Sequence, residues 1–374
     1  MSTIVAAEPW YTVENIGEIA SPAMLVYPDR IERNLRRMIE LAGGTERLRP
    51  HVKTHKMAEV IQMNLDAGIK KFKAATIAEA EMCAMVGAPD VLVSFPQVGP
   101  NVGRLVNLVT KYPNTKFATI ADDHGHILHL STAFAQVGKQ IEVWLDLDVG
   151  QHRTGIVPGD RALALYLQLH ELPGTVPGGL HVYDGHVRDP ELDERIGHGE
   201  TSFQPVKELV RKIREAGLPM RLPICGGTPS FPVHARHEDR ECSPGTSVFY
   251  DIGYGNRYPD LGFEHAAILV SRVVSKPCEN RITLDLGYKA VSPDNATLRV
   301  QLLNVPDATA VGHWEEHLAI ETPAASQFSV GDVVYGVPYH ICPTVALQRE
   351  VYTVRGGRVD GSWKVVARDR KLTV

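Results

Sequence analysis

One segment of the sequence groups two lysines with two histidines, Arg49-Pro50-His51-Val52-Lys53-Thr54-His55-Lys56. It overlaps a short run, residues 48–54, that predicts a β-strand. In parallel barrels the carboxyl ends of the strands carry the active site, and a buried lysine beside other cations has a lowered pKa. Lys53 is therefore a candidate amine nucleophile for a Schiff base with an aldehyde. The alternative is a basic surface loop.

Two later segments are candidates for binding a phosphate group. Cys225-Gly226-Gly227-Thr228-Pro229-Ser230 follows an apolar run, and Pro244-Gly245-Thr246-Ser247-Val248-Phe249-Tyr250-Asp251 begins 14 residues after Ser230. Backbone amides without side chains, beside hydroxyl groups, form anion-binding loops, and barrels often bind phosphate after their last two strands. We expect the two segments to close one phosphate site. A Gly-Gly-x-Pro sequence is also typical of an ordinary turn.

A histidine and a cysteine stand two residues apart in Pro338-Tyr339-His340-Ile341-Cys342-Pro343. On an extended strand this spacing places both side chains on one face, and imidazole with thiolate suits Zn²⁺. Two protein ligands would leave coordination positions open for water or substrate. The alternative is a packed histidine and a packed cysteine that bind no metal.

Two more segments carry groups for acid-base chemistry or anion binding. Residues 146–155, Asp-Leu-Asp-Val-Gly-Gln-His-Arg-Thr-Gly, offer Arg153 to an anion or a ring nitrogen, unless Arg153 simply pairs with the acidic strand end. Residues 183–186 place Tyr183 and Asp184 beside His186, a candidate acid-base cluster. The alternative for this cluster is a polar loop.

Short apolar runs alternate with amphipathic stretches from residue 20 to about 255, and this pattern predicts strands alternating with helices. Residues 29–41, for example, carry apolar side chains at spacings of three and four and begin with Asp29, a good helix cap. Eight strands of this kind predict a (β/α)8 barrel of the TIM type. They are Ala23 to Tyr27, Leu48 to Thr54, Lys71 to Ala75, Asp90 to Phe95, Lys116 to Ala121, Ile141 to Val149, Gly178 to His186 and Arg221 to Gly226.

The pattern changes after residue 262, where β-rich segments follow one another without a long helix. The sequence therefore predicts an α/β fold class, a (β/α)8 TIM-type barrel at 20–262 with a C-terminal all-β domain at 263–374 that carries His340 and Cys342. Residues 1–19 precede the first strand and are a candidate to pair with the β domain. The β segments are Ala266 to Val274, Arg281 to Leu286, Thr297 to Leu303, Val333 to Val337, Glu350 to Val354 and Trp363 to Ala367.

Composition limits the classes of partner. The 374 residues include 39 Lys plus Arg against 44 Asp plus Glu, a net charge of −5, so no positive field favours nucleic acid. No apolar run reaches the roughly 20 residues of a membrane span, and the first ten residues lack a secretory-signal pattern. The 5 cysteines form no Cys-x-x-Cys pair, which argues against a disulfide framework. These features predict a cytoplasmic protein whose partner is neither nucleic acid nor membrane.

In their order along the chain, these motifs resemble the fold-type III pyridoxal 5′-phosphate enzymes, specifically the D-threonine aldolase and D-serine dehydratase family. The resemblance covers nearly the whole chain and implies an alanine-racemase-like barrel with a C-terminal β domain, assembled as a homodimer. It implies that Lys53 holds the cofactor aldehyde and that His340 and Cys342 bind a divalent metal (Zn, Mn or Mg), whereas bacterial aldolases usually show His-x-Asp. The expected cofactor-binding residues are Lys53, His51, Arg153, Tyr183, Gly226, Gly227, Thr228, Gly245, Thr246 and Tyr250.

The resemblance implies a metal-activated lyase that acts on D-3-hydroxy amino acids, and it leaves two reactions open. An aldolase would cleave the Cα–Cβ bond to give glycine and an aldehyde, and a dehydratase would release a 2-keto acid and ammonia. Cys342 and the Thr-Pro-Ser loop favour the dehydratase. The cluster at 183–186 and the stretch at 354–363 favour the aldolase, which is our interpretation.

The base that acts on the substrate hydroxyl is the main departure from the family pattern. Bacterial aldolases carry a histidine a few residues after the tyrosine, whereas this chain has Arg188 and Asp189 there. His186 is therefore the candidate base. Two further classes are an amino-acid racemase, which would need no metal, and a non-catalytic pyridoxal phosphate carrier, which would lack the β domain.

Overall fold

The structure, a computed structural model, describes residues 9–295, 299–305 and 307–374. Its strands in chain order are β1 (Ala23–Val26), β2 (Lys71–Ala74), β3 (Asp90–Val93), β4 (Lys116–Ala121), β5 (Ile141–Leu147), β6 (Thr175–Val182), β7 (Ile224–Cys225), β8 (Glu241–Cys242), β9 (Ala267–Cys278), β10 (Arg281–Leu284), β11 (Val300–Leu302), β12 (Thr309–His313), β13 (Leu318–Glu321), β14 (Val333–Pro338), β15 (Glu350–Arg355) and β16 (Arg358–Lys364). Its helices are α1 (Pro28–Ala42), α2 (Ala58–Asp66), α3 (Ile77–Met85), α4 (Pro100–Lys111), α5 (His124–Ala135), α6 (Asp160–Glu171), α7 (Leu192–Glu215), α8 (Phe231–Ala235), α9 (Ile252–Arg257) and α10 (Ile341–Leu347). In the parts of the chain just given, no helix is long and apolar enough to cross a membrane.

The described chain forms two compact units that interleave along the sequence. The β unit contains the described residues up to Asn34, residues 248–256 and Phe263–Arg368. The barrel unit contains Leu35–Ser247, Arg257–Gly262 and Asp369–Val374. The predicted domain ranges, 20–262 and 263–374, stay predictions for the functional domains, and the compact units differ from them at 20–34, 248–256 and 369–374.

The barrel unit is built on a seven-stranded parallel sheet in the order β2-β3-β4-β5-β6-β7-β8. Residues 48–52 lie between its two edges, because Leu48 forms a parallel bridge with Cys242 on β8 and His51 forms one with Lys73 on β2. These bridges occupy the eighth position, where hydrogen bonding is too sparse for a full strand. With helices between the strands and a separate antiparallel sheet downstream, the predicted fold class is confirmed.

The prediction that Ala23 to Tyr27 opens the barrel is wrong. This run forms β1, which pairs antiparallel with β9 and parallel with β15 in the β unit. All four residues of β1 are buried, and an apolar run of that length suits either kind of sheet, so its pattern could not identify its partner. The barrel strand that the prediction missed is β8, a two-residue strand with no apolar run around Glu241 and Cys242.

Several barrel strands end earlier than predicted. β5 ends at Leu147 and β6 at Val182, so Arg153, Tyr183 and His186 lie in the loops that follow the strands. This is the position where a parallel barrel carries its active site. The predicted strand at 221–226 is reduced to β7, Ile224–Cys225.

Charged side chains form pairs in the interior of the barrel at the amino ends of its strands. Arg49 donates to Glu241 (Nε to Oε2, 2.8 Å) and to Asp90 (Nη1 to Oδ1, 2.6 Å), although its side chain is only 2% exposed. Lys71 donates to the other oxygen of Glu241 at 2.5 Å. These contacts tie 48–52, β2, β3 and β8 together, and we call Arg49, Lys71, Asp90 and Glu241 the floor cluster.

The β unit is built on a nine-stranded sheet with the order β12-β13-β10-β9-β1-β15-β16, from which β14 pairs with β9 and β11 with β14. The sequence prediction missed β12 and β13, placed β16 too late in the chain, and took the start of α10 for a strand. Part of its segment Thr297 to Leu303 lies outside the described residues. Two residues of the predicted N-terminal segment 1–19 bond to the β unit beside the β15–β16 turn. Glu14 donates its backbone N–H to the carbonyl of Gly357 at 2.9 Å, and the Asn15 side chain bonds the backbone of Val359.

Candidate active site

Lys53 follows the segment that closes the barrel. Arg49 and His51 donate their backbone N–H groups to Cys242 and Pro244, both at 2.9 Å, and Val52 donates to Lys73 at 2.8 Å. The chain then turns over residues 52–55 before α2 begins. The side-chain amine of Lys53 has no hydrogen-bond or ion-pair partner among the described residues, whereas Lys56 pairs with Glu79. Lys53 therefore follows the carboxyl end of the segment that occupies the eighth strand position of the barrel, as the sequence predicted.

His51 supports this turn as a neutral imidazole. Its Nδ1 accepts the backbone N–H of Lys53 at 3.3 Å, so Nε2 carries the ring proton and lies 3.4 Å from the Ser94 hydroxyl oxygen. Burial, reinforced by the charges of Lys53 and Lys73, lowers the pKa of His51 well below its usual value. His51 therefore adds no positive charge next to Lys53 at neutral pH.

The two predicted phosphate segments meet in the structure. The Thr228 hydroxyl oxygen accepts the backbone N–H groups of Gly245 at 3.1 Å and of Thr246 at 3.0 Å. Gly226 has a φ of +69°, which disfavours any residue with a side chain, and its N–H donates to Val182 at 2.9 Å. The prediction that these loops converge is therefore supported by contacts between them.

Two glycines allow close approach to the other predicted residues. A Cβ on Gly227 would lie 3.2 Å from the Tyr183 ring, and a Cβ on Gly245 would lie 3.0 Å from the Cβ of His51. Arg153 stacks over the Tyr183 ring, with its Cζ 4.8 Å from the ring centroid. The structure therefore brings the lysine motif, both glycine segments, Tyr183 and Arg153 to one place.

Asp184 is held by other side chains. Its Oδ1 accepts the Ser230 hydroxyl at 2.6 Å and its Oδ2 contacts His234 Nε2 at 2.7 Å, while Arg240 lies 3.1 Å from His234 Nδ1. Burial opposes ionisation of Asp184, but His234 and Ser230 outweigh it and its pKa is lowered. An ionised carboxylate with both oxygens engaged anchors the loop after β6 and is poorly suited to accept a substrate proton.

His186 packs against α7. Its Nε2 lies 3.1 Å from the Ser202 hydroxyl and its ring lies 5.2 Å from that of His198, while its buried Nδ1 has no hydrogen-bond partner among the described residues. Burial lowers the pKa of His186, so the ring is neutral at pH 7. No hydrogen bond, ion pair or ring contact joins it to Lys53 within the described parts of the chain. Its role as a base stays a prediction.

Three interior residues were not recognised from the sequence as site residues. Asp146 accepts His181 Nδ1 at 2.6 Å and the Thr154 hydroxyl at 2.8 Å, and His181 Nε2 is buried without a hydrogen-bond partner among the described residues. The third residue is Lys73, whose side chain is buried in the same interior. A lysine inside a buried strand, and a histidine two residues before Tyr183, were the signals that could have identified Lys73 and His181.

The predicted metal pair belongs to the β unit, and its local structure differs from the expectation. His340 caps α10 and Cys342 lies in the first turn of that helix, so the pair does not sit on an extended strand. The two side chains are hydrogen-bonded, and His340 Nδ1 also contacts Asp294. Burial alone would lower the pKa of His340, but Cys342 and Asp294 raise it to about 9. Asp294 was not predicted.

These donors fit an open metal site. A carboxylate on one ring nitrogen orients a metal-binding histidine, and histidine with cysteine suits Zn²⁺. Among the described residues no group of three His, Cys, Asp or Glu could hold a metal ion, so at most two of the described residues would serve as ligands here. Tyr250 is also in the β unit, with a φ of +48° and its ring 5.4 Å from that of Phe263. Its role in cofactor binding stays a prediction.

The barrel-unit residues fit pyridoxal 5′-phosphate. A free amine, a cradle that a Cβ at Gly227 or Gly245 would crowd, and the orphaned Nε2 of His181 lie at one end of the barrel. An aromatic ring and a guanidinium complete the set at Tyr183 and Arg153. These are the groups that an aromatic aldehyde with a phosphate arm requires.

Two family models match the chain. The model of the alanine racemase N-terminal domain matches residues 26–252, and that of a serine dehydratase domain matches residues 266–354. Since the first match spans more than half of the chain, the protein belongs to the alanine racemase N-terminal domain family. The resemblance inferred from the sequence motifs is thereby confirmed.

Individual relatives narrow the class of chemistry. A D-threonine aldolase from Arthrobacter sp is 29% identical over 359 residues, covering 94% of this chain and 94% of that protein. A D-threo-3-hydroxyaspartate dehydratase from Delftia sp. (strain HT23) is 25% identical over 351 residues, covering 87% of this chain and 92% of that protein. The crystal structure of a D-threonine aldolase from Filomicrobium marinum matches with a TM-score of 0.88 and 27% identity over 94% of this chain and 96% of that one. These relatives are aldolases and a dehydratase, and they confirm the predicted class of lyase, the D-threonine aldolase and dehydratase type.

Proposed function

We propose that this protein is a metal-activated, pyridoxal phosphate-dependent lyase of the D-threonine aldolase type, which cleaves D-3-hydroxy amino acids to glycine and an aldehyde. The observation that carries the proposal is the free amine of Lys53 beside the joined glycine loops 226–228 and 245–246. The similarity to an aldolase over 94% of both chains supports it.

The chain's own residues divide the work of cofactor binding. Lys53 would hold the aldehyde carbon, the two glycine loops would bind the phosphate, and Tyr183 would face the ring, held there by Arg153. When bound, the cofactor supplies an electron sink for the bond broken at Cα. Gly227 keeps the backbone close to Tyr183, so the loop and the ring would position the cofactor together.

The β-hydroxyl of the substrate needs a base and an electrophile. His186 would be the base in this proposal, because burial lowers its pKa and its Nδ1 has no hydrogen-bond partner among the described residues. His340 and Cys342 would bind a divalent metal, with Asp294 orienting His340, and such an ion supplies a Lewis acid for the hydroxyl oxygen. Zn, Mn and Mg are the candidates.

The second candidate is a dehydratase acting on D-serine or D-threo-3-hydroxyaspartate. Cys342 favours it, since bacterial aldolases usually show aspartate at that position, and the Delftia relative is a dehydratase. In that reaction the amine of Lys53 would take the α-proton, and His186 would have no role.

Product analysis separates the two reactions. The holoenzyme with added Mn²⁺ is incubated with D-threonine and with D-serine, and glycine plus aldehyde is quantified against 2-keto acid plus ammonia. The aldolase proposal predicts acetaldehyde and glycine in equal amounts from D-threonine and neither from L-threonine. Keto acid and ammonia as the sole products would contradict it and establish the dehydratase. A K53A sample controls for cofactor-independent reaction.

We further infer a homodimer and a cytoplasmic location. The family resemblance supports the dimer, and free cysteines support the compartment: Cys83, Cys225 and Cys242 are buried thiols, as expected in a reducing environment. The partner is a D-amino acid, without a role for nucleic acid or membrane. Analytical ultracentrifugation tests the dimer, and a monomer at micromolar concentration would contradict it.

A further inference from the structure

Lys73 is a buried lysine whose amine is unpaired among the residues that the structure describes. It lies on β2 and is 3% exposed, and its backbone is held beside the Lys53 motif because its N–H donates to Pro50 at 2.9 Å. Its Nζ lies 5.9 Å from the centroid of the Tyr183 ring and has no hydrogen-bond or ion-pair partner among the described residues. Lys71, two residues earlier on the same strand face, pairs with Glu241 at 2.5 Å.

The acidic groups near Lys73 are already engaged. Asp146 is bonded to His181 and Thr154, and both oxygens of Asp184 are taken by Ser230 and His234. Burial is the largest cause that lowers the pKa of Lys73, and the charge of Lys53 is the second. The nearby acidic groups raise the pKa, but the result is still lowered to about 7. The titratable groups that face it from the surrounding elements are Lys53, His51, Asp146, His181, Tyr183, Asp184 and Cys225.

A buried ammonium without a counterion is unfavourable, so such an amine stays largely neutral until an anion arrives. The neighbouring His181 Nε2, also unpartnered among the described residues, is a second sign that this interior is completed by a ligand. Lys53 and Lys73 are close enough for their charges to interact, so an anionic group held at Lys53 would be within electrostatic reach of the Lys73 amine. For pyridoxal phosphate such groups include the ring oxygen adjacent to the aldehyde, and for a bound D-amino acid they include the carboxylate.

We propose that Lys73 binds an oxyanion of the ligands held at Lys53 and takes up one proton from solvent as it does so. The proposal rests on the proposed function. The neutral amine accepts a proton, becomes an ammonium and donates a hydrogen bond to the anionic oxygen, and no other bond changes. The oxyanion comes either from the cofactor ring or from the substrate carboxylate, and the two arms of the test separate these sources.

The test measures proton uptake by isothermal titration calorimetry at pH 7.5 in two buffers with different ionisation enthalpies. In the first arm pyridoxal 5′-phosphate is titrated into the full-length apoenzyme. In the second arm D-alanine, which has no β-hydroxyl to react, is titrated into the holoenzyme. The variants are K73M, K73R and the matched control K71M, which removes an ion-paired lysine from the same strand face.

A lowered pKa leaves part of the Lys73 population neutral at pH 7.5, so full protonation on binding takes up a measurable fraction of a proton, at most one per site. We expect K73M to lower the uptake by that amount in one arm and to weaken affinity there by about tenfold to hundredfold, the range for a charge-assisted hydrogen bond. K71M should leave the uptake unchanged. K73R should lose the uptake but bind more tightly than K73M, because its charge is permanent.

A merely structural role for Lys73 would weaken binding without altering the number of protons. The proposal is overturned if K73M shows the same proton uptake and the same affinity as wild type in both arms. If K73M fails to fold, a K73R variant with the proton uptake of wild type overturns it. Borohydride reduction of the wild-type holoenzyme is the independent check on the proposed function. If Lys53 is labelled but proton uptake in K73M is unchanged, only the proposed role of Lys73 is wrong. If Lys53 is not labelled, the proposed function on which that role rests is wrong.

Discussion

Removing the charge of Glu241 should destabilise the barrel unit without touching the candidate active site. Glu241 pairs with Arg49 at 2.8 Å and with Lys71 at 2.5 Å, and the Arg49 side chain is 2% exposed. Breaking a buried ion pair by removing one partner costs about 3–5 kcal/mol. Since Asp90 still binds Arg49 at 2.6 Å, we expect the lower end, about 3 kcal/mol, for E241Q.

Thermal unfolding followed by circular dichroism measures this loss. For a domain of 150–250 residues, about 3 kcal/mol lowers the midpoint by roughly 6–12 °C. The matched control is E208Q, which removes an exposed helix-surface partner of Arg211 and should leave the midpoint unchanged. An E241Q midpoint equal to wild type would refute the view that the floor cluster holds the barrel closed.

Three further predictions concern pH, metal and the base. Burial opposes ionisation of Glu200, but its hydrogen bond from Arg240 and the neighbouring charges lower its pKa to about 2. Its folded pKa is thus below the unfolded value, so the stabilisation is present above pH 4.5 and is lost as the pH falls towards 2. The difference in thermal unfolding midpoint between wild type and E200Q should shrink over that window. A constant difference would contradict the assignment. Chelation, H340A and C342A should each abolish turnover with little change in the unfolding midpoint, since an open two-ligand site contributes little to folding; full turnover in a verified metal-free sample would exclude the Lewis-acid role. H186A should lose about 10²–10⁴-fold in D-threonine cleavage while retaining bound cofactor, and unimpaired cleavage would return His186 to a packing role.

The parts of the site that were predicted from sequence are those encoded by short contiguous motifs. Lys53 and the glycine loops each carry their chemistry within a few residues, so their identity required no knowledge of pairing. His340 and Cys342 were predicted as a pair for the same reason, and their role as metal ligands stays a prediction. The extended geometry assumed for them was wrong, because the chain begins α10 at that point.

The parts that were missed depend on strand pairing across the sheet. Lys73 and His181 face the same interior only because β2 and β6 have a particular register, which no local pattern reveals. β1 was assigned to the wrong sheet because a buried apolar strand of four residues has no feature that distinguishes a parallel from an antiparallel partner. Strand pairing also created the eighth barrel position from 48–52 and the two residues of β8.

Lys53 is the residue proposed to hold the cofactor aldehyde. Borohydride reduction of the purified holoenzyme, followed by peptide mass spectrometry, converts that bond into a stable mark on the lysine that carries it. We expect a phosphopyridoxyl group on Lys53 and its absence from K53A. A label on Lys56 or Lys73 in the wild-type protein, or no label on any lysine, would contradict it.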